Sequence, residues 1–225
     1  MSNRNELQEF QEKVKEAILA LDRKEVVQLA EKAVSKFMAP DLVTLIEKGF
    51  SEGLQIIGDK FGKGEMFLPE LVLAAKAMKE AIGIIEPKLV EGQFMRQSLG
   101  KVVLATVKGD LHDIGKAIVG SLLTARGFEV LDLGIDVPTN EIISSAEEFR
   151  ADIIGVSALL TTTLPAQREL IEQLEKDGLR KKHKVMVGGA ATSKDWARKI
   201  GADGHGADAN EAVSLAIELS RNKGR

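Results

Sequence analysis

An α/β architecture preceded by an all-α N-terminal domain is the class this sequence predicts, on three observations. Up to about Gly92, apolar residues recur at steps of three and four, the spacing of amphipathic helices. From Lys101 onward, short apolar runs alternate with helical stretches, the pattern of parallel strands joined by right-handed crossovers. Between them, Gln93–Gly100 is polar apart from Phe94, Met95 and Leu99. The expected organisation is therefore a helical bundle over residues 1–92, a linker over 93–100 and a sheet domain over 101–225.

The bundle reads as four helices. Leu7, Phe10, Val14, Ile18 and Leu21 share one face of the first. Asp22 suits the N-cap of the second, which carries Val26, Leu29, Ala33 and Phe37. The third presents Val43, Ile46, Phe50, Leu54, Ile57 and Phe61, and the fourth Leu71, Ala75, Met78, Ile82, Ile85 and Leu89. Ala39-Pro40-Asp41 separates helices two and three; Gly62-Lys63-Gly64 and Pro69 separate three and four. Four antiparallel helices with short loops make a bundle.

In the second half, strands are expected at Val102–Val107, Glu129–Leu131, Ile153–Ser157, Lys184–Val187 and, briefly, Asp203–His205. Helices are expected at Asp113–Arg126, Thr139–Phe149, Pro165–Asp177, Lys194–Ile200 and Asp208–Arg221. Five strand–helix units imply a flavodoxin-like (Rossmann-type) doubly wound sheet of five parallel strands.

Composition narrows the function. The 225 residues carry a net charge of -3 and no strongly basic face, so nucleic acid is not an expected partner. The lack of cysteine removes disulfides, thiolate metal sites and cysteine nucleophiles. The polar N-terminus does not resemble a signal peptide, and the apolar runs are too short to span a bilayer; a cytoplasmic protein with no membrane partner is expected.

The most informative stretch is Gly109-Asp110-Leu111-His112-Asp113-Ile114-Gly115-Lys116. It places a histidine in the turn leaving the first strand, with a carboxylate two residues before and a glycine three after. In an open parallel sheet that turn lies at the strands' carboxyl ends, where ligands bind. An imidazole oriented by an aspartate there is a metal ligand or a base. Ser157 and Thr161–Thr163 follow strand three, Gly188-Gly189 strand four and His205-Gly206 strand five, all on the same edge. Glycines and hydroxyls suit a phosphate or nucleotide, yet G-x-G-x-x-G and Walker P-loop patterns are both missing. Other readings exist: Asp110 as a helix cap, the glycines as a plain turn, or a phosphoryl-receiver domain. His183, beside Arg180–Lys182, reads as a solvated surface residue, and Trp196 as helix packing.

Asp110-x-His112-x-x-Gly115, then Ser157-x-Leu159, then Gly188-Gly189, resembles the cobalamin-binding domain of methionine synthase and methylmalonyl-CoA mutase. It resembles more closely the corrinoid methyl-carrier proteins of methanogens and acetogens, which also place a helical bundle first. Phe61 to Glu70 looks like the segment that caps the corrin in those proteins. The resemblance implies cobalamin or a related corrinoid, alternating between methylcobalamin and cob(I)alamin, with His112 as the lower ligand of cobalt. Asp110 would orient that histidine, and Thr163 would stand behind the carboxylate where methionine synthase has serine. Asp113, Gly115, Ser157, Leu159, Thr161, Gly188 and Gly189 would line the cofactor's slot, His205 and Gly206 its rim, and Phe61, Leu68 and Leu71 the cap.

The function so implied is carriage of a methyl group on cobalt, without catalysis by the chain alone, in a methyltransferase (O-demethylase-like) system. A donor methyltransferase would load it, an acceptor methyltransferase would unload it onto tetrahydrofolate or a thiol coenzyme, and a reductive activase would restore oxidised cobalt. Gln93–Gly100 would be the hinge that frees the corrin. Methyl ethers or quaternary amines are the favoured donors, ahead of methanol and simpler methylamines. A radical-mutase subunit and a cobalamin-dependent sensor are the alternatives; the first has no need of a helical cap, and the second would want an output domain.

Overall fold

The structure, a computed structural model, describes residues 4–91 and 98–221. The chain divides into two compact units, Met1–Gln97 and Ser98–Arg225. Most of the expected linker, Gln93 to Gln97, lies outside the described residues. No helix among the described residues is long and apolar enough to cross a membrane.

The first unit contains α1 (Arg4–Leu19), α2 (Arg23–Lys36), α3 (Ala39–Leu45), a π-helical turn (Ile46–Ser51), α4 (Glu52–Gly62) and α5 (Leu68–Glu91). Asp22 caps α2 as expected, accepting the Glu25 N–H at 3.0 Å. Ala39, Pro40 and Asp41 do not separate two helices but form the first turn of α3, where proline's missing N–H is harmless. The expected third helix is interrupted by the π turn, and the spacing explains why. Leu42, Ile46, Phe50 and Leu54 are all fully buried and lie four residues apart, wider than the 3.6 residues of an α-turn. One wider turn returns that stripe to the core. Gly49 and Gly53 let α1 approach: a Cβ on Gly49 would sit 3.3 Å from Val14 Cγ1, and one on Gly53 3.1 Å from Ile18 Cδ1. Phe10 meets Phe37 edge-on at 5.2 Å, closing α1 against the end of α2.

The second unit is a five-stranded parallel sheet in the order β2-β1-β3-β4-β5. The strands are β1 (Lys101–Thr106), β2 (Glu129–Asp132), β3 (Ile153–Ser157), β4 (Lys184–Gly188) and β5 (Gly204–Gly206). Helices α6 (Ile114–Ala125) and α10 (Ala209–Arg221) pack together on one face. Across the other face, α7 (Thr139–Phe149), α8 (Leu164–Lys176) and α9 (Lys194–Ile200) bury Val103, Ile154, Val156, Val185 and Val187. Strand order reverses between β1 and β3, which opens a crevice at their carboxyl ends.

At the opposite end of the sheet, one expectation is overturned. His183 is not a solvated surface residue: it is 0 % exposed. Its Nδ1 lies 2.7 Å from the Ala151 carbonyl and its Nε2 2.6 Å from Glu147 Oε1. Lys182 also reaches Glu147, at 2.7 Å, and these two neighbours hold the Glu147 carboxyl below its usual range. The basic run hides an imidazole that ties α7 to the entry of β4.

Candidate functional site

The loop after β1 is held from three sides. The buried Thr106 hydroxyl donates to the His112 carbonyl at 2.9 Å. Asp136, itself left-handed at φ 53, accepts the Gly109 N–H at 2.7 Å and donates its own N–H to the Asp110 carbonyl at 3.0 Å. Gly109 turns with φ 83, which an unbranched backbone permits.

Asp110 is 0 % exposed and collects donors on both oxygens. Oδ1 accepts from His112 N at 3.1 Å and Nδ1 at 2.7 Å. Oδ2 accepts from Leu159 N at 2.7 Å, Leu160 N at 3.3 Å and Thr163 Oγ1 at 2.8 Å. Burial pushes this carboxyl upward, but the bonds from His112, Thr163 and Leu159 outweigh it and hold Asp110 well below the ordinary carboxylate range. A charged Asp110 requires a proton on His112 Nδ1, so Nε2 carries the lone pair. The ring is 52 % exposed, and Nε2 has no hydrogen-bond partner among the described residues. Asp110, His112 and Thr163 are thus brought together as expected, across the crevice between β1 and β3.

Beside this ring opens a cavity of about 320 Å³ on the α6–α10 face, at the small end of ligand sites (~300–1,000 Å³). His112, Gly115, Ser157, Leu159, Gly188, Gly189 and Gly206 all line it. A Cβ on Gly115 would meet nothing within 4 Å, so its absence leaves open room. Gly189 has a different reason from ligand clearance: at φ 110, a Cβ would stand 2.1 Å from the Ala158 carbonyl oxygen. Gly188 is tight against β5: a Cβ there would stand 3.3 Å from the Gly206 carbonyl oxygen.

Other expected residues lie elsewhere. Asp113 is exposed at the N-cap of α6 with no side-chain cap bond, Thr161 is exposed, and neither lines the cavity. In the helical unit, Leu71 is fully buried, Phe61 and Leu68 are half-buried, and the neighbouring Phe67 is 74 % exposed. Thr106, Asp136 and the cavity's Leu104, Gly155 and Met186 were not singled out from sequence. The hydroxyl closing β1, directly opposite Ser157 in register, is the signal that points to Thr106.

His205 faces away from the cavity. It is opposite Val187, whose side chain joins the α7–α9 core, and in-register residues share a face. Its Nε2 lies 2.9 Å from Thr192 Oγ1, whose proton goes to the Gly189 carbonyl at 2.5 Å. Nε2 therefore carries the hydrogen, and Nδ1 is a buried acceptor with no partner among the described residues. Burial depresses the His205 pKa; Glu211 opposes and Lys194 adds to the effect. Below about pH 6.5 the unfolded chain takes up a proton that the folded one resists, so stability falls as pH drops. Urea midpoints measured from about pH 7 to pH 5 will fall less steeply for His205→Gln than for the natural protein, and parallel curves would remove this assignment.

Among the described residues, no three His, Cys, Asp or Glu side chains converge to hold a metal. The chemistry offered is one oriented imidazole nitrogen beside a mainly apolar slot, which suits a metal that arrives already enclosed by another molecule.

A family described as "B12 binding domain" matches residues 100–214, and a second of that description matches 10–86. A corrinoid protein of Desulfitobacterium hafniense (strain Y51) is 46% identical over 209 residues, covering 92% of this chain and 96% of its own. The trimethylamine corrinoid protein of Methanosarcina barkeri is 45% identical over 202 residues, covering 90% and 92%. Among solved structures, the methanol:cobalamin methyltransferase complex MtaBC of M. barkeri matches with TM-score 0.83 at 28% identity, over 96% of this chain and 81% of that one. A cobalamin-binding protein of D. hafniense DCB-2 matches with TM-score 0.63 at 33% identity, over 92% and 96%.

Proposed function

Because this chain belongs to the corrinoid proteins built on B12-binding domains, which carry methyl groups within methyltransferase systems, we propose that His112 Nε2 is the atom that holds the corrinoid's cobalt. The observation behind this is the hydrogen bond from His112 Nδ1–H to a buried, charged Asp110, which in the neutral ring leaves the lone pair on the exposed nitrogen. Thr163 and the Leu159 N–H act as positioning groups by holding Asp110 Oδ2. The slot lined by Gly115, Ser157, Leu159, Gly188 and Gly189 takes the nucleotide tail. When bound, the corrinoid supplies the cobalt nucleophile that accepts and releases the methyl group, and the protein supplies position and electrostatics.

In this reading residues 1–92 form the helical domain, 93–100 the linker and 101–225 the corrinoid domain. The chain works as a carrier between a donor methyltransferase and an acceptor methyltransferase, with a reductive activase, inside the cytoplasm. Relatives named for trimethylamine and dimethylamine, at 45% identity, support a methylated amine as donor. The mutase-subunit and sensor alternatives are not favoured by relatives of this kind.

The test is spectroscopic. Natural protein labelled with ¹⁵N-histidine and loaded with corrinoid should change the nitrogen splitting in the electron paramagnetic resonance spectrum of its Co(II) form. His112→Ala should lack that splitting and hold corrinoid at least about ten-fold more weakly. Persistence of the label-dependent splitting in His112→Ala would overturn the proposal.

A further inference from the structure

The cavity changes character with depth, and strand register measures the levels. Thr106, Ser157 and Gly188 lie opposite one another at the top. Leu104, Gly155 and Met186 lie opposite one another two residues lower, roughly 6–7 Å further in. The polar side chains of the wall, His112, Lys116, Ser157 and Asp208, sit at strand ends or where helices begin. Two of them are already committed: Lys116 pairs with Asp132, and Asp208 accepts the Glu211 N–H at 2.8 Å. Below them the wall is Leu104, Ile118, Val119, Gly155, Met186 and Ala212. Gly155 makes the floor possible: a Cβ there would stand 2.7 Å from Leu104 Cδ2. Strand backbone at that level is paired within the sheet. A ligand group reaching the floor meets dispersion contacts and no donor or acceptor stronger than a thioether.

We infer that this floor selects the class of base at the end of the corrinoid's nucleotide tail, admitting a benzimidazole and discriminating against a purine. The inference rests on the carrier reading above, which puts the tail in this slot. A benzimidazole presents a fused ring that is mostly carbon and hydrogen. Adenine brings an exocyclic amine and further ring nitrogens, each of which leaves water for a wall that cannot replace the lost bonds. Specificity arises from unpaired polar groups in the disfavoured ligand, not from a special contact to the favoured one.

Three corrinoids test it: cobalamin, its adenine-base counterpart, and cobinamide, which lacks the nucleotide. Apoprotein is titrated with each, and dissociation constants are read from the corrinoid absorbance. Cobalamin should bind at least ten-fold more tightly than the adenine form, about 1.4 kcal/mol, and the adenine form should fall close to cobinamide. Met186→Gln, which places an amide on the floor, should narrow the gap; Val119→Asn, at a half-buried position of α6, should do so if the first variant does not fold. Equal affinity for the two bases, or a gap unchanged in the folded variants, overturns the inference and leaves the carrier reading standing. Failure of all three corrinoids to bind overturns both.

Discussion

Asp110→Ala will destabilise the sheet unit by about 3 kcal/mol and weaken corrinoid binding by roughly ten- to hundred-fold. The stability loss follows from what is left behind. Removing a fully buried carboxylate strands the Leu159 N–H, leaves the Thr163 hydroxyl only the Leu160 carbonyl at 2.9 Å, and frees the His112 ring to rotate. Unmet buried donors cost ~1–3 kcal/mol each, partly relieved by water entering the gap. Asp110→Asn separates the two effects. Its amide oxygen can still accept from Leu159 and Thr163, so part of the stability should remain, less the clash of its NH₂ with the His112 backbone N–H that Oδ1 accepts in the natural protein. Its NH₂ then faces His112 Nδ1, which must become the acceptor, and the proton moves to Nε2. Urea unfolding and corrinoid titration of both variants check this. An Asn variant with undiminished corrinoid affinity would show that the tautomer is not what the carboxylate controls.

Gly189→Ala should be more damaging still, above about 4 kcal/mol. Its Cβ would lie 2.1 Å from the Ala158 oxygen, 2.6 Å from the carbonyl carbon and 2.9 Å from the nitrogen, all backbone atoms of the loop leaving β3. The φ of 110 adds strain for any side chain. Gly115→Ala is the comparator: its Cβ meets nothing, so stability should stay within about 0.5 kcal/mol while the slot loses room. Thermal or chemical unfolding of the two variants side by side measures the difference. Comparable stability for both would mean that the Ala158 loop yields freely.

Local pattern carried most of the secondary structure into view. In the sheet unit β3, α7 and α9 fall where apolar runs and helical spacing put them, and the other elements there differ by a residue or two. The pairing of Asp110 with His112 is readable from their short spacing, while Thr163 behind the carboxylate follows only from the family resemblance. What escaped depends on contacts distant in sequence. His183 looks solvated beside three basic residues until Ala151 and Glu147 close over it. His205 is the middle residue of a three-residue strand, and only its pairing with Val187 reveals which way it faces. The cavity floor is a row across three strands, so no single segment displays it.

The slot's side walls are the helix that follows the sheet's first strand and the helix that follows its last, and they otherwise meet across a partly hollow seam. A molecule filling that seam acts as a keystone between the unit's opening and closing segments. By mass action, loading will then make the final helix as hard to fray as the central strands, and vacancy will make it the first part to loosen. Cofactor supply would in this way set the lifetime of the protein as well as its competence.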